Sequence, residues 1–169
     1  MQITNQTTIA EATPFINGEH LKTLMESDKI TPLPLEKSVF SMTIGEFIEC
    51  LSDDYTMKFF SNPDDILVFA IGRLKTFKQE IENVNKIMSL NEIKLTNEEK
   101  AAQRGVIFPS FSETILCEAV EYFNLHSLDD AEKIPLSNYL IMKRKKSAEA
   151  LYQRNLNKQY EQKQKTKKK

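Results

Sequence analysis

The stretch from Asn62 to Met88, NPDDILVFAIGRLKTFKQEIENVNKIM, constrains this chain more than any other, because its apolar residues return every seven positions. Leu67, Leu74, Ile81 and Met88 form one row, and Ala70, Phe77 and Val84 form a second. Seven residues is close to two helical turns, so both rows lie along one side of an α-helix as the a and d positions of a heptad. A half-buried strand would need strict alternation instead. Asn62 is placed to cap, Pro63 suits the first helical position, and Asp64 and Asp65 complement the positive end of the helix dipole. The expectation is one long helix with a narrow seam, widened at its start by Ile66, Val68, Phe69 and Ile71. Such a seam packs either within its own domain or against another chain, and Leu67, Leu74, Phe77, Ile81, Val84 and Met88 are its candidate interface residues.

The remaining signals are helical too. Thr43 with Glu46, Thr96 with Glu99 and Ser110 with Glu113 are three capping boxes, in which each side chain satisfies an orphan backbone donor of the other residue. The first opens a helix with Ile44, Phe47, Ile48 and Leu51 on one face. The second ends at a stop expected at Gly105. The third opens a helix with Ile115, Leu116, Ala119, Val120 and Phe123 inward. Ser127 caps a short helix that Pro135 breaks, and Ser137 is expected to cap a final helix reaching Gln159. Its inner face reads as Leu140, Ile141, Ala148, Leu151, Tyr152 and Leu156. Four Gly and no Trp also argue against a turn-rich β fold. The fold expected is all-α, a helical bundle with one long heptad-patterned helix. Residues 1–42 read as a polar N-terminal arm and Pro-containing linker, with a short helix near EHLKTLMES. Pro32 and Pro34 make the linker an extended segment or a strap on the core. Residues 43–160 read as a single helical domain, and 161–169 as a disordered basic tail.

Charge divides the chain where hydropathy does not. From Lys143 to Lys169 there are 11 Lys+Arg against 2 Asp+Glu, a net +9, while residues 1–142 carry 12 against 22, a net −10. A basic helix of this kind suits a polyanion, a contact with an acidic surface, or simple solvation. If nucleic acid is the partner, Lys143, Arg144, Lys145, Lys146, Arg154 and Lys158 are the phosphate contacts. Only Tyr152 and Tyr160 are available there for stacking, so base readout is not expected.

Catalytic and cofactor signatures are not recognisable. Two histidines, His20 and His126, stand far apart, with no ligands at zinc spacing. Gly18, Gly45, Gly72 and Gly105 are isolated, and match neither phosphate-loop nor dinucleotide patterns. Cys50 and Cys117 lie in amphipathic patterns and read as buried thiols. The pairs Asp53–Asp54, Asp64–Asp65 and Asp129–Asp130 sit at helix ends, where the dipole accounts for them. No catalytic residue, metal or cofactor is therefore assigned, and the chain is expected not to be an enzyme. It has no signal-peptide pattern and no spanning apolar run, so a cytoplasmic protein without membrane contact is expected.

The segment AVEYFNLHSLDDAEKIPLSNYLIMKRKKSAEALYQRN, Ala119 to Asn155, joins an aromatic helix end, a short acidic helix and a basic helix. It resembles small helical phage and prophage proteins, in particular tail assembly chaperones. SMTIGEFIE likewise looks like helix starts in proteins of bacterial mobile elements, although no helix-turn-helix signature follows it. The resemblance implies a non-enzymatic helical protein that binds the tape-measure protein and tail-tube subunits, with self-association open. The alternative expectation is an accessory nucleic-acid-binding protein of a phage or mobile element.

Overall fold

The computed structural model describes residues 3–103, 106, 107 and 109–167. It is all-α. Among the described residues, eight α-helices appear: α1 (Ile9–Ala12), α2 (Gly18–Glu26), α3 (Ile44–Cys50), α4 (Leu67–Leu90), α5 (Asn97–Ala102), α6 (Phe111–Phe123), α7 (Leu128–Glu132) and α8 (Leu136–Lys167). Three 3-10 helices join them, at Thr13–Phe15, Val39–Ser41 and Asp53–Phe60. The expected capping boxes all form, at Thr43/Glu46, Thr96/Glu99 and Ser110/Glu113, and a fourth forms at Thr8/Glu11. Ser127 caps α7 by accepting from the Asp130 amide. Gly105, the expected stop of α5, lies outside the described residues.

The long helix begins later than its capping signals indicated. Its first residue is Leu67 rather than Pro63, and its N-cap, Ile66, has no side-chain bond. Asn62 instead closes a turn, accepting from the Asp64 amide at 3.3 Å and donating to Asp65 Oδ1 at 2.8 Å. The orphan donor of Leu67 goes to the Thr7 carbonyl at 2.9 Å, while the Ile9 amide donates to the Asp65 carbonyl at 2.9 Å. A backbone segment from the far end of the chain thus does the capping that sequence assigned to Asn62. The start of α8 repeats the device. Ser137 is not its cap but lies inside it, and the Leu136 amide donates to the Met42 carbonyl at 2.8 Å, while the Ile44 amide donates to the Ile134 carbonyl at 2.9 Å.

Residues 3–30 are not a loose arm. Ile9, Ala12 and Ile30 are buried with Leu67, Ala70 and Ile71, so the N-terminal segment covers the first half of α4. Of the residues that widen the stripe, Val68 and Ile71 meet this segment, whereas Phe69 is 48% exposed, against the expectation. Beyond Ile30 the Pro-containing stretch is a strap on the core: the Leu33 amide donates to the Gly72 carbonyl at 3.0 Å. A Cβ at Gly72 would stand 2.8 Å from the Thr31 carbonyl oxygen and 2.9 Å from Leu33 Cγ, so the close approach depends on glycine. Gly72→Ala is expected to cost about 1–3 kcal/mol, because a backbone oxygen cannot rotate away as a side chain can. Urea unfolding with a lowered midpoint and unchanged slope is the expected readout, and an unchanged midpoint would mean that the strap does not press on α4.

The second half of α4 runs through the main core. Leu74, Phe77, Val84 and Met88 are buried there with Val39, Ile44, Phe47, Ile115, Leu136 and Tyr139. The Phe77 ring lies 5.1 Å from that of Tyr55 and 5.2 Å from that of Phe59. α6 crosses this core with Ile115 and Ala119 inward and ends on Asn124 in the left-handed region, φ 52°. That leaves Cys117 on the outside of α6: of the two free thiols only Cys50 is buried, against the expectation for both. Helix continues to Lys167, past Gln159 and into the stretch expected to be disordered. From Leu136 to Lys167 there is no Gly or Pro, and Lys, Gln and Glu are good helix formers. Lys168 and Lys169 lie outside the described residues.

Candidate interaction surfaces

The seam of α4 is consumed inside the chain. Leu67, Leu74, Phe77, Val84 and Met88 are each at most 3% exposed, and Ile81 is half-buried against the same core. Five of the six candidate interface residues are thus covered by the chain's own packing, and Ile81 is partly covered. A heptad seam reports only that a partner exists, and here the partners are the N-terminal segment with α2, the Val39–Ser41 and Asp53–Phe60 helices, and α8.

What the fold leaves outside is the far side of α8. Its inner face is Leu136, Tyr139 and Leu140, all buried, followed by Lys143, Ser147 and Arg154. These share one side of the helix, at successive intervals of three, one, three, four and seven residues, the last divided four and three by Leu151. Tyr139 donates to Glu118 Oε2 at 2.5 Å, and Lys143 Nζ donates to the same oxygen at 2.7 Å. Burial, and then the Glu118 carboxylate, push the Tyr139 hydroxyl up in pKa, so it stays a donor. Ser147 donates to the Asn91 carbonyl. Arg154 reaches the Lys94 carbonyl and both oxygens of Glu99, at 2.9 Å and 3.2 Å for the carboxylate. The Thr96 amide and the Arg154 charge hold the Glu99 carboxyl below the usual glutamate range.

The inner face expected for this helix was therefore misplaced. Of Leu140, Ile141, Ala148, Leu151, Tyr152 and Leu156, only Leu140 is buried. Ile141 is 66% exposed, Leu151 46% and Tyr152 62%, with Ala148 exposed and Leu156 half-buried. The sequence IPLSNYLIM is apolar on two sides, and the choice between them was made by Tyr139. A signal was present: Leu136, Tyr139, Leu140 and Lys143 follow the i, i+3, i+4, i+7 pattern, and Ile141 does not belong to it.

The six candidate phosphate contacts are not one surface. Lys143 and Arg154 are half-buried and paired with Glu118 and Glu99. Lys146 is half-buried in a cleft that also holds Glu92, Glu118 and Glu121. Arg144, Lys145 and Lys158 are exposed, Lys145 lying 3.9 Å from Glu149.

A cleft of ≈ 670 Å³ between α3, the Asp53–Phe60 helix and α4 is lined by Glu46, Glu49, Tyr55, Lys58, Asp65 and Arg73 among others. Its charges already answer one another: Lys37–Glu46 at 2.6 Å, Lys58–Glu49 at 3.8 Å and Arg73–Asp65 at 2.9 Å. Of its charged lining residues only the exposed Glu36 stands outside these pairs. Burial pushes the neighbouring Cys50 thiol up, which makes it a poor nucleophile. Among the described residues no group of three or more His, Cys, Asp or Glu is arranged to hold a metal ion. No described helix is long and apolar enough to cross a membrane.

No family model, curated protein or solved structure matches this chain.

Proposed function

We propose that this chain is a non-enzymatic helical interaction protein, an adaptor or assembly chaperone, that meets its partner on the outer face of α8. The observation that carries this reading is the exposure of Ile141 and Tyr152 on the side of one long helix opposite to the side fixed to the body. Large apolar side chains grouped on a surface cost hydration free energy that a partner recovers. The resemblance of Ala119–Asn155 to tail assembly chaperones makes a phage tape-measure or tail-tube protein the first partner to test.

The alternative, an accessory nucleic-acid-binding protein, is weakened by the structure's use of its cations. Lys143 and Arg154 are paired within the chain, and each phosphate contact they would make costs an ion pair.

The test is co-expression with a tape-measure protein encoded beside this chain. Ile141→Gln and Tyr152→Gln together replace exposed side chains by a good helix former, so melting is expected to stay within a few degrees of the original. The intact chain is expected to hold the tape-measure protein in solution and the double variant to lose at least tenfold in binding. Equal binding by both would place the docking site elsewhere.

A further inference from the structure

α5 is joined to the body by a single side chain. No described side chain of residues 93–103 is buried, whereas α4 before it buries Val84 and Met88 and α6 after it buries Ile115 and Ala119. A helix of six residues does not hold itself in water, so its place depends on what ties it down. Among the described residues, every hydrogen bond and ion pair that joins 93–103 to another helix ends on Arg154 of α8. Its guanidinium reaches the Lys94 carbonyl ahead of α5 at 2.9 Å and the Glu99 carboxylate within it at 2.9 Å and 3.2 Å. The Thr96 amide, 2.6 Å from Glu99 Oε2, holds that carboxylate in position. The segment is pinned just ahead of its start, where Ser147 donates to the Asn91 carbonyl. It also forms one wall of a cleft of ≈ 580 Å³, lined by Ile93 and Leu95 on this side, by Glu121 and Tyr122 on α6 and by Lys146 and Ala150 on α8.

We propose that residues 93–103 are a flap over this cleft, latched shut by Arg154 and able to open while the core stays folded. α8 is the fixed side of the latch, because it is one continuous helix rooted in the core by Leu136, Tyr139 and Leu140. α5 is the moving side, because nothing of it is buried. Arg154 and Glu99 are 24% and 42% exposed, so water and salt compete for the pair, and a segment held in this way opens far more often than the core unfolds. Opening withdraws Ile93 and Leu95 from the cleft wall and frees the Arg154 guanidinium.

Hydrogen exchange of the full chain tests the flap on the Lys100 and Gln103 amides, which bond to the Thr96 and Glu99 carbonyls, against the amides of Val84 and Met88 in the core. In the intact chain the first pair is expected to exchange about tenfold faster or more than the second. Arg154→Gln keeps a good helix former in α8 and should speed Lys100 and Gln103 by about fivefold, the size of a half-exposed forked pair, with Val84 and Met88 unchanged. Raised salt should narrow the gap between the intact chain and the variant, because it screens the pair that only the intact chain has. A second readout tests the cleft, in a chain where Cys117→Ser has removed the exposed thiol and Cys50 stays buried. The thiol of an Ile93→Cys variant should react with a maleimide faster, by a similar factor, once Arg154→Gln is added. Exchange of Lys100 and Gln103 at the rate of Val84 and Met88 places α5 in the cooperative unit of the core and overturns the flap. Equal speeding of both pairs of amides by Arg154→Gln, or no speeding of either, overturns the latch. Exchange as expected with an unchanged thiol reaction overturns the place of the flap over the cleft.

Discussion

Phe77→Ala is expected to lower stability by about 3–5 kcal/mol, and Phe77→Asp to leave no cooperative unfolding transition at all. Phe77 is 3% exposed and lies between the rings of Tyr55 and Phe59, so truncation opens a cavity that neighbouring helices cannot close. A carboxylate there has no cation within the core to answer it. Ile81→Asp should cost less, because Ile81 is half-buried and its carboxylate can turn toward water. Urea unfolding measures the loss, and sedimentation of the same variants separates it from a change of assembly. A Phe77→Asp protein with unchanged melting but a lower mass would return the α4 seam to the role of an interface between chains.

Removal of Glu118 should have the next largest effect. Glu118→Ala leaves the Tyr139 hydroxyl, in a fully buried residue, and the Lys143 ammonium, 13% exposed, without their shared acceptor. Breaking a buried pair by removing one member costs about 3–5 kcal/mol, and the 27% exposure of Glu118 moves the expected value to about 2–3 kcal/mol. Glu118→Gln, which retains an acceptor for Tyr139, should lie in between. Adding Lys143→Met to Glu118→Ala removes the stranded charge and should restore about 1 kcal/mol or more. Strict additivity of the two single changes would show that the three groups are not one network.

The local features of this fold were legible because their causes are local. A capping box needs two residues three apart, and Thr43/Glu46, Thr96/Glu99 and Ser110/Glu113 all formed where the sequence had them. The period of Leu67 to Met88 likewise determined a long helix with one buried side, since the spacing of side chains around a helix is a property of its backbone.

The sequence by itself therefore determined an all-α chain, the position of most helices and the split between an acidic body and a basic end. Tertiary structure alone decided what each apolar face meets. Asn62 and Ser137 were displaced as caps by backbone carbonyls of Thr7 and Met42, donor–acceptor pairings across more than 50 residues that no local pattern encodes. The α4 seam became core because the N-terminal segment, the Val39–Ser41 and Asp53–Phe60 helices and α8 cover it, and Ile141 and Tyr152 became surface because the opposite side of α8 carries Tyr139, turned inward to Glu118. Helical periodicity fixes which residues share a face; only the packing of distant segments fixes which face is buried, and in this protein that choice is what leaves Ile141 and Tyr152 exposed.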